Sequence, residues 1–123
     1  MNQDSRYNID AEIQFNPLEI IDFDRLIDGC VKQWQNLALC QVNDSVIRLG
    51  VIEGEFHWHK HDREDEFFYV IDGNLLIDLE GRTVELGPRQ GFVVPKGVTH
   101  RTRAPGRTSI MMIEGSTVTP TGD

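Results

Sequence analysis

Cysteine, basic charge, histidine and long apolar runs are all scarce in this chain, and each scarcity excludes something. Cys30 and Cys40 are the only cysteines, too few for a disulfide framework. They read as two reduced thiols filling space as small hydrophobes in a cytoplasmic protein. Twelve basic residues stand against twenty acidic ones, for a net charge of −8. Nucleic acids and anionic membranes need a concentrated basic surface, so neither is expected as a partner. No run of about 18 apolar residues occurs, so no membrane-spanning helix is expected. The opening Met1-Asn2-Gln3-Asp4-Ser5-Arg6 lacks the apolar core of a signal peptide.

Helical texture is limited to residues 17–34. Leu18, Ile21, Leu26 and Val31 could line one face there, but Gly29 limits any helix to two or three turns. From residue 37 the chain becomes short apolar runs of strand length: 37–42, 46–52, 55–61, 67–71, 75–79, 83–86, 92–94 and 109–113. Between them stand Asn43-Asp44, Glu53-Gly54, Asp72-Gly73-Asn74, Glu80-Gly81-Arg82 and Gly87-Pro88, the residue types that tight turns demand. Many short strands at this spacing predict an all-β sandwich or barrel. A length of 123 residues suits one domain with a real core. Residues 1–36 are expected as an extension packing on the barrel, its first sixteen residues loosely held. Residues 37–114 form the barrel, and 115–123, with little apolar content, a flexible tail.

All four histidines fall in two short runs. His57, His59 and His61 alternate through Phe56-His57-Trp58-His59-Lys60-His61, with Glu66 shortly after, and His100 closes Pro95-Lys96-Gly97-Val98-Thr99-His100. On a strand, His59 and His61 would share a face about 6.7 Å apart. Two imidazoles at that spacing can converge on one ion held by bonds of roughly 2.0–2.1 Å, so the cluster reads as a metal site.

These runs resemble the two conserved motifs of the cupin family. His59-Lys60-His61-Asp62-Arg63-Glu64-Asp65-Glu66 with Gly73 is similar to the first, H-x-H-x4-E-x6-G. Pro88 to His100 is similar to the second, P-G-x5-P-x-G-x2-H, departing from it at Arg89, where the family usually has glycine. At Ala104 asparagine is common in the family. The texture further resembles small single-domain cupins of the mannose-6-phosphate-isomerase-like kind, with Asn43-Asp44 before the second strand and Thr121-Gly122-Asp123 near the end. The resemblance implies a double-stranded β-helix, the jelly-roll barrel, with a short N-terminal helical segment. It does not fix a reaction, because this barrel hosts isomerases, epimerases, dioxygenases, decarboxylases, storage proteins and ligand sensors.

Against the first motif two ligand registers compete. His57 with His59 selects Glu64, and the motif's glycine position then falls on Ile71. His59 with His61 selects Glu66, and the glycine falls on Gly73. The resemblance therefore assigns His59, His61, Glu66 and His100 as ligands of one divalent transition metal, whether iron, manganese, nickel, copper or zinc. His57 is expected on the pocket wall, along with Phe68, Arg48 and Met112, and with Phe92 as an addition. Glu64 and Asp65 read as solvated loop charges. Trp58 should point away from the ligands, between sheets or toward a partner, while Arg48, Arg101 and Arg103 could meet an anionic substrate. Open positions on the ion would admit a small-molecule ligand. The expected function is metal-dependent chemistry of dioxygenase or isomerase type, or metal-dependent binding without turnover. A homodimer is expected, with 37–42 capping a partner's sheet.

Overall fold

The structure, a computed structural model, describes residues 6–122. It contains β1 (Asn8–Asp10), α1 (Phe23–Gly29), β2 (Trp34–Val42), β3 (Ser45–Glu55), β4 (Glu66–Asp72), β5 (Leu75–Leu79), β6 (Arg82–Leu86), β7 (Gly91–Val94) and β8 (His100–Gly115). The strands wind into the predicted jelly roll, in the order β1-β2-β3-β8-β4-β7, with β5 joining β8 and β6.

β8 holds the barrel together. Its residues 100–103 pair with β5, and residues 109–114 lie between β3 and β4. Sequence patterning predicts only 109–113, yet the strand begins at His100 and runs through Pro105 and Gly106. The strand absorbs them in a bulge: Ile52 faces Thr108 and Gly54 faces Ala104, so residues 105–107 oppose Glu53 alone. A bulge is where a sheet tolerates proline.

β3 is buried on both faces, which explains its nearly unbroken apolar run. Ile52 joins Trp34, Phe56, Phe68, Val70, Leu75, Ile77, Ile110 and Met112 inside the barrel. Leu49 and Val51 point the other way, into a second cluster with Cys30 and Leu39 beneath Phe23, Leu26 and Ile27. Asp22 caps α1, accepting from Arg25 N at 3.2 Å, and the helix stops at Gly29 after seven residues. Ile21 and Leu26 pack on the second cluster, while Leu18 and Val31 are exposed. One short helix cannot carry positions 18 to 31 on a single stripe.

The N-terminal segment is laid along the barrel rather than loose over 8–15. β1 pairs in parallel with β2, and Phe15 N donates to Leu39 O at 2.9 Å. Together these contacts run along β2 from Gln35 to Leu39, over the first half of the 37–42 segment expected to cap a partner's sheet. Residues 1–5 lie outside the described residues. At the other end, Ser116 N donates to Asp44 O at 2.8 Å, and residues 116–122 fold back in turns. No helix among the described residues is long and apolar enough to cross a membrane. Cys30 and Cys40 are unbridged.

Candidate metal centre

The expected strand over 55–61 does not form as such. β3 ends at Glu55, and residues 56–61 leave the ladder to dock against the beginning of β8. Phe56 N donates to Thr102 O at 2.9 Å, and His59 and His100 exchange backbone bonds of 2.9 and 2.8 Å. Gly97, at φ 81, turns the chain toward β8 and donates its N–H to His61 O at 2.8 Å. Asp65, just before β4, accepts from Lys96 N at 3.0 Å. These contacts bring two remote motifs to one place.

There, one donor-type atom from each of His59, His61, Glu66 and His100 lies within 4.8 Å of all the others. Glu66 Oε1 is 3.4 Å from Nε2 of both His61 and His100. Two ring tautomers are set by backbone carbonyls. His59 Nδ1–H donates to His57 O at 3.0 Å, and His100 Nδ1–H donates to Val98 O at 2.9 Å. Each Nε2 is thereby left as a lone-pair donor, the arrangement by which ligating histidines are oriented. Burial pulls His59 down to about 4, which keeps it neutral. Burial pushes the Glu66 carboxyl upward, but contacts with His100, His61 and Glu114 outweigh it and hold Glu66 well below the ordinary carboxylate range. His100 Nε2 and Glu66 Oε1 are buried without a hydrogen-bond partner. Such orphans cost about 1–3 kcal/mol each, and a shared cation would satisfy both, so the residues fit a metal ion.

The residue that sequence reasoning missed is Glu114. It faces Glu66 in the β4–β8 register and is 3% exposed. Burial first, and then the Glu66 charge, push its carboxyl up to about 9. The pair therefore holds one proton, with Glu66 ionised. Buried Arg48 stands behind, its Nε 2.5 Å from Glu114 Oε1. The one available signal is strand parity, since Ile110, Met112 and Glu114 alternate inward along β8.

A cavity adjoins the cluster, with about 450 Å³ of free space counting its open mouth. Trp34, Ile52, Phe56, Phe68, Ile110 and Met112 form its apolar wall, and Asn36, His59, Glu66, Thr102 and Glu114 its polar part. Pro120, from the C-terminal segment, completes it.

Other candidates lie elsewhere. Arg48 backs Glu114 and does not line the cavity. His57 is exposed, its Nε2–H donating to Thr121 O at 2.7 Å and its ring stacked 4.2 Å from Phe56. It braces the chain end that carries Pro120. Arg101 and Arg103 face away from the cavity and grip Asp78 through Nε–Oδ2 contacts of 2.7 and 2.6 Å. Trp58 is 45% exposed, with the Arg101 guanidinium 5.4 Å above its ring, rather than between sheets. Phe92 packs against the barrel core. Glu64 is half-buried and accepts from Thr117 Oγ1, so it is not merely a solvated loop charge.

Comparison with known proteins agrees with this geometry. Residues 46–114 match the Cupin domain family. The uncharacterized protein YdbB of Bacillus subtilis is 41% identical over 80 residues, spanning 64% of this chain and 71% of YdbB. The polyketide synthase CurC of Streptomyces cyaneus is 38% identical over 55 residues, spanning 45% of this chain and 36% of CurC. Among solved structures, a cupin-2 domain containing protein from Shewanella frigidimarina is similar with a TM-score of 0.75 and 33% identity. That likeness covers 78% of this chain and 94% of that one.

Proposed function

The chain belongs to the cupin family, and from that premise we propose that it binds one divalent transition metal through His59, His61, Glu66 and His100, and acts on a small organic molecule in the adjoining cavity. One observation carries this reading: His100 Nε2 and Glu66 Oε1, buried 3.4 Å apart and without a hydrogen-bond partner, stand within a ring of four ligand-type groups. Three imidazoles and a carboxylate suit iron, manganese, nickel, copper or zinc alike. When bound, the ion would supply Lewis-acid or redox chemistry, of isomerase or dioxygenase type, at positions that four protein ligands leave open.

The chain's own residues do the rest. His57 O and Val98 O orient the imidazoles. Glu66 and Glu114 keep a proton beside the site. The aromatic wall excludes water from a bound molecule. The relative CurC carries the name polyketide synthase, which supports catalysis on an organic ligand. A second reading, metal-dependent binding without turnover, is favoured by the cavity lining. Among the described residues that form it there is no Lys or Tyr to serve as a separate acid or base.

We place the protein in the cytoplasm as a homodimer. The exposed Leu18, Ile20 and Val31 support self-association, and light scattering should give twice the 14.1 kDa chain mass. Elemental analysis of untagged protein tests the metal: about one ion per chain is expected, and almost none in His100→Ala. Dioxygen-consumption and isomerisation screens on the loaded protein then separate enzyme from binder.

A further inference from the structure

One side of the cavity is built by a segment that lies outside every strand. Residues 116–122 follow β8 in turns, and at their start Ser116 N donates to Asp44 O at 2.8 Å. Their other backbone bonds are local, from Val118 N to Gly115 O at 3.0 Å and from Gly122 N to Thr119 O at 2.8 Å. Beyond Ser116, the ties to the barrel among the described residues come from side chains. Thr117 Oγ1 donates to the Glu64 carboxylate, and His57 Nε2–H donates to Thr121 O at 2.7 Å. Val118, between these ties, is 9% exposed and anchors the segment. Two glycines permit the close approach. A Cβ on Gly115 would collide with the Glu64 carboxylate, and one on Gly122, at φ 97, would lie 2.5 Å from His59 Cβ. Both side-chain ties land on the stretch from His57 to Glu66, which carries three of the four proposed ligands. Pro120 is thereby set into the cavity wall, facing Phe56, Phe68 and Met112 across the space.

We infer that residues 116–122 are a movable wall of the ligand site, with Pro120 its contact to the bound molecule and Val118 its anchor. An organic molecule with an apolar body is enclosed between Pro120 and the aromatic wall of the barrel. A segment held by a few exposed hydrogen bonds opens locally while the core stays folded, as the covering segments of many ligand sites do. Its docking sets how long the molecule stays, because affinity differences among variants of one site fall mainly on dissociation. The inference rests on the proposed ligand site, but not on which metal occupies it.

The test uses two variants of the full chain, Val118→Asp and Pro120→Gly, in a Trp58→Phe background where Trp34 on the cavity is the remaining tryptophan. Val118→Asp releases the anchor, and Pro120→Gly removes the wall without burying a charge. In metal-free protein, acrylamide quenching of Trp34 should rise at least about twofold in both, and limited proteolysis should cut 116–122 sooner in Val118→Asp. Cobalt(II), a coloured stand-in for the native ion, then reports on benzohydroxamate, a chelator with an apolar ring. That probe should leave either cobalt-loaded variant at least about tenfold faster than it leaves the parent. Unchanged quenching in both variants, undiminished protection of 116–122 in Val118→Asp, or probe dissociation no faster than from the parent overturns the inference. Cobalt content of the same samples separates the two readings. Quenching that rises in both variants of a protein that holds no cobalt supports the movable wall while refuting the metal site. Bound cobalt with unchanged quenching and unchanged dissociation refutes this inference alone.

Discussion

Replacing His100 with alanine separates what the imidazole contributes to packing from what it contributes to metal binding. His100 is 1% exposed, and its Nδ1–H donates to Val98 O. Truncating so buried a ring leaves a cavity and an unpaired carbonyl, worth about 2–4 kcal/mol in metal-free protein. The metal increment is separate. For wild type at a metal concentration 100 times the dissociation constant, binding to the folded state adds about 2.7 kcal/mol. At this chain length that raises the melting temperature by roughly 8–13 °C. Loss of one of four ligands weakens binding by at least about 100-fold, since even outer partners are worth 10–100-fold. At the same metal concentration His100→Ala then gains at most about 0.4 kcal/mol. Thermal melts of both proteins, chelated and metal-loaded, measure the two increments independently. Equal metal-induced shifts in wild type and variant would refute the ligand assignment, however much the variant loses in its chelated form.

Asp78→Asn should destabilise the barrel by about 2–3 kcal/mol, because Asp78 accepts from Arg101, Arg103 and Thr83. Hydrogen bonds from Arg103 foremost hold its carboxyl well below the usual range. Its stabilisation is therefore fully present above about pH 4 and is lost as pH falls below that, so urea melts of the two proteins should differ by a constant amount from pH 5 to 8 and converge in stronger acid. Arg89→Gly should be neutral to stabilising by about 1 kcal/mol, since Arg89 holds φ 66 where the family motif has glycine; a measurable loss in urea midpoint would count against strain at that turn. Gly73→Ala should cost more than about 2 kcal/mol, because φ is 91 and a Cβ there would lie 2.5 Å from Thr108 Oγ1; an unchanged melt would refute it. His57→Ala should keep near-full metal occupancy by elemental analysis while exposing 116–122 to limited proteolysis, and loss of the metal would instead support the His57–His59 register.

Features of the fold that were readable from sequence are those enforced locally. Asp72-Gly73-Asn74 and Glu80-Gly81-Arg82 mark the turns on either side of β5, and Gly73 and Gly81 both adopt positive φ there. Gly29 ends α1 where the propensity argument places its limit. Local pattern misleads where pairing is decided at a distance. Phe56 to His61 alternates like a strand, yet its backbone bonds only at Phe56, His59 and His61, to three separate points on the chain from Gly97 to Thr102. The apolar run 109–113 marks only the end of β8, which extends back through Pro105-Gly106 because β3 and β5 hold the strand on either side of the bulge.

The same distinction governs the site. His59, His61, Glu66 and His100 stand out because their chemistry is uncommon in this chain and their spacing is short. Glu114 does not, because it is one of twenty acidic residues and an acid near the end of a strand is usually solvated. What makes it part of the site is register alone: β8 pairs with β4 so that Glu114 meets Glu66, and with β3 so that Met112 meets Arg48. A one-residue slip of β8 would turn Glu114 outward and bring a neighbour of opposite parity into the barrel. The buried acid and buried arginine thus specify the register they depend on, because each would be stranded without its partner if β8 slipped. A motif search finds residues that would touch the metal. Parity along the strands also finds Phe68 and Met112 on the cavity wall, whereas Glu114 emerges only when the strands are paired.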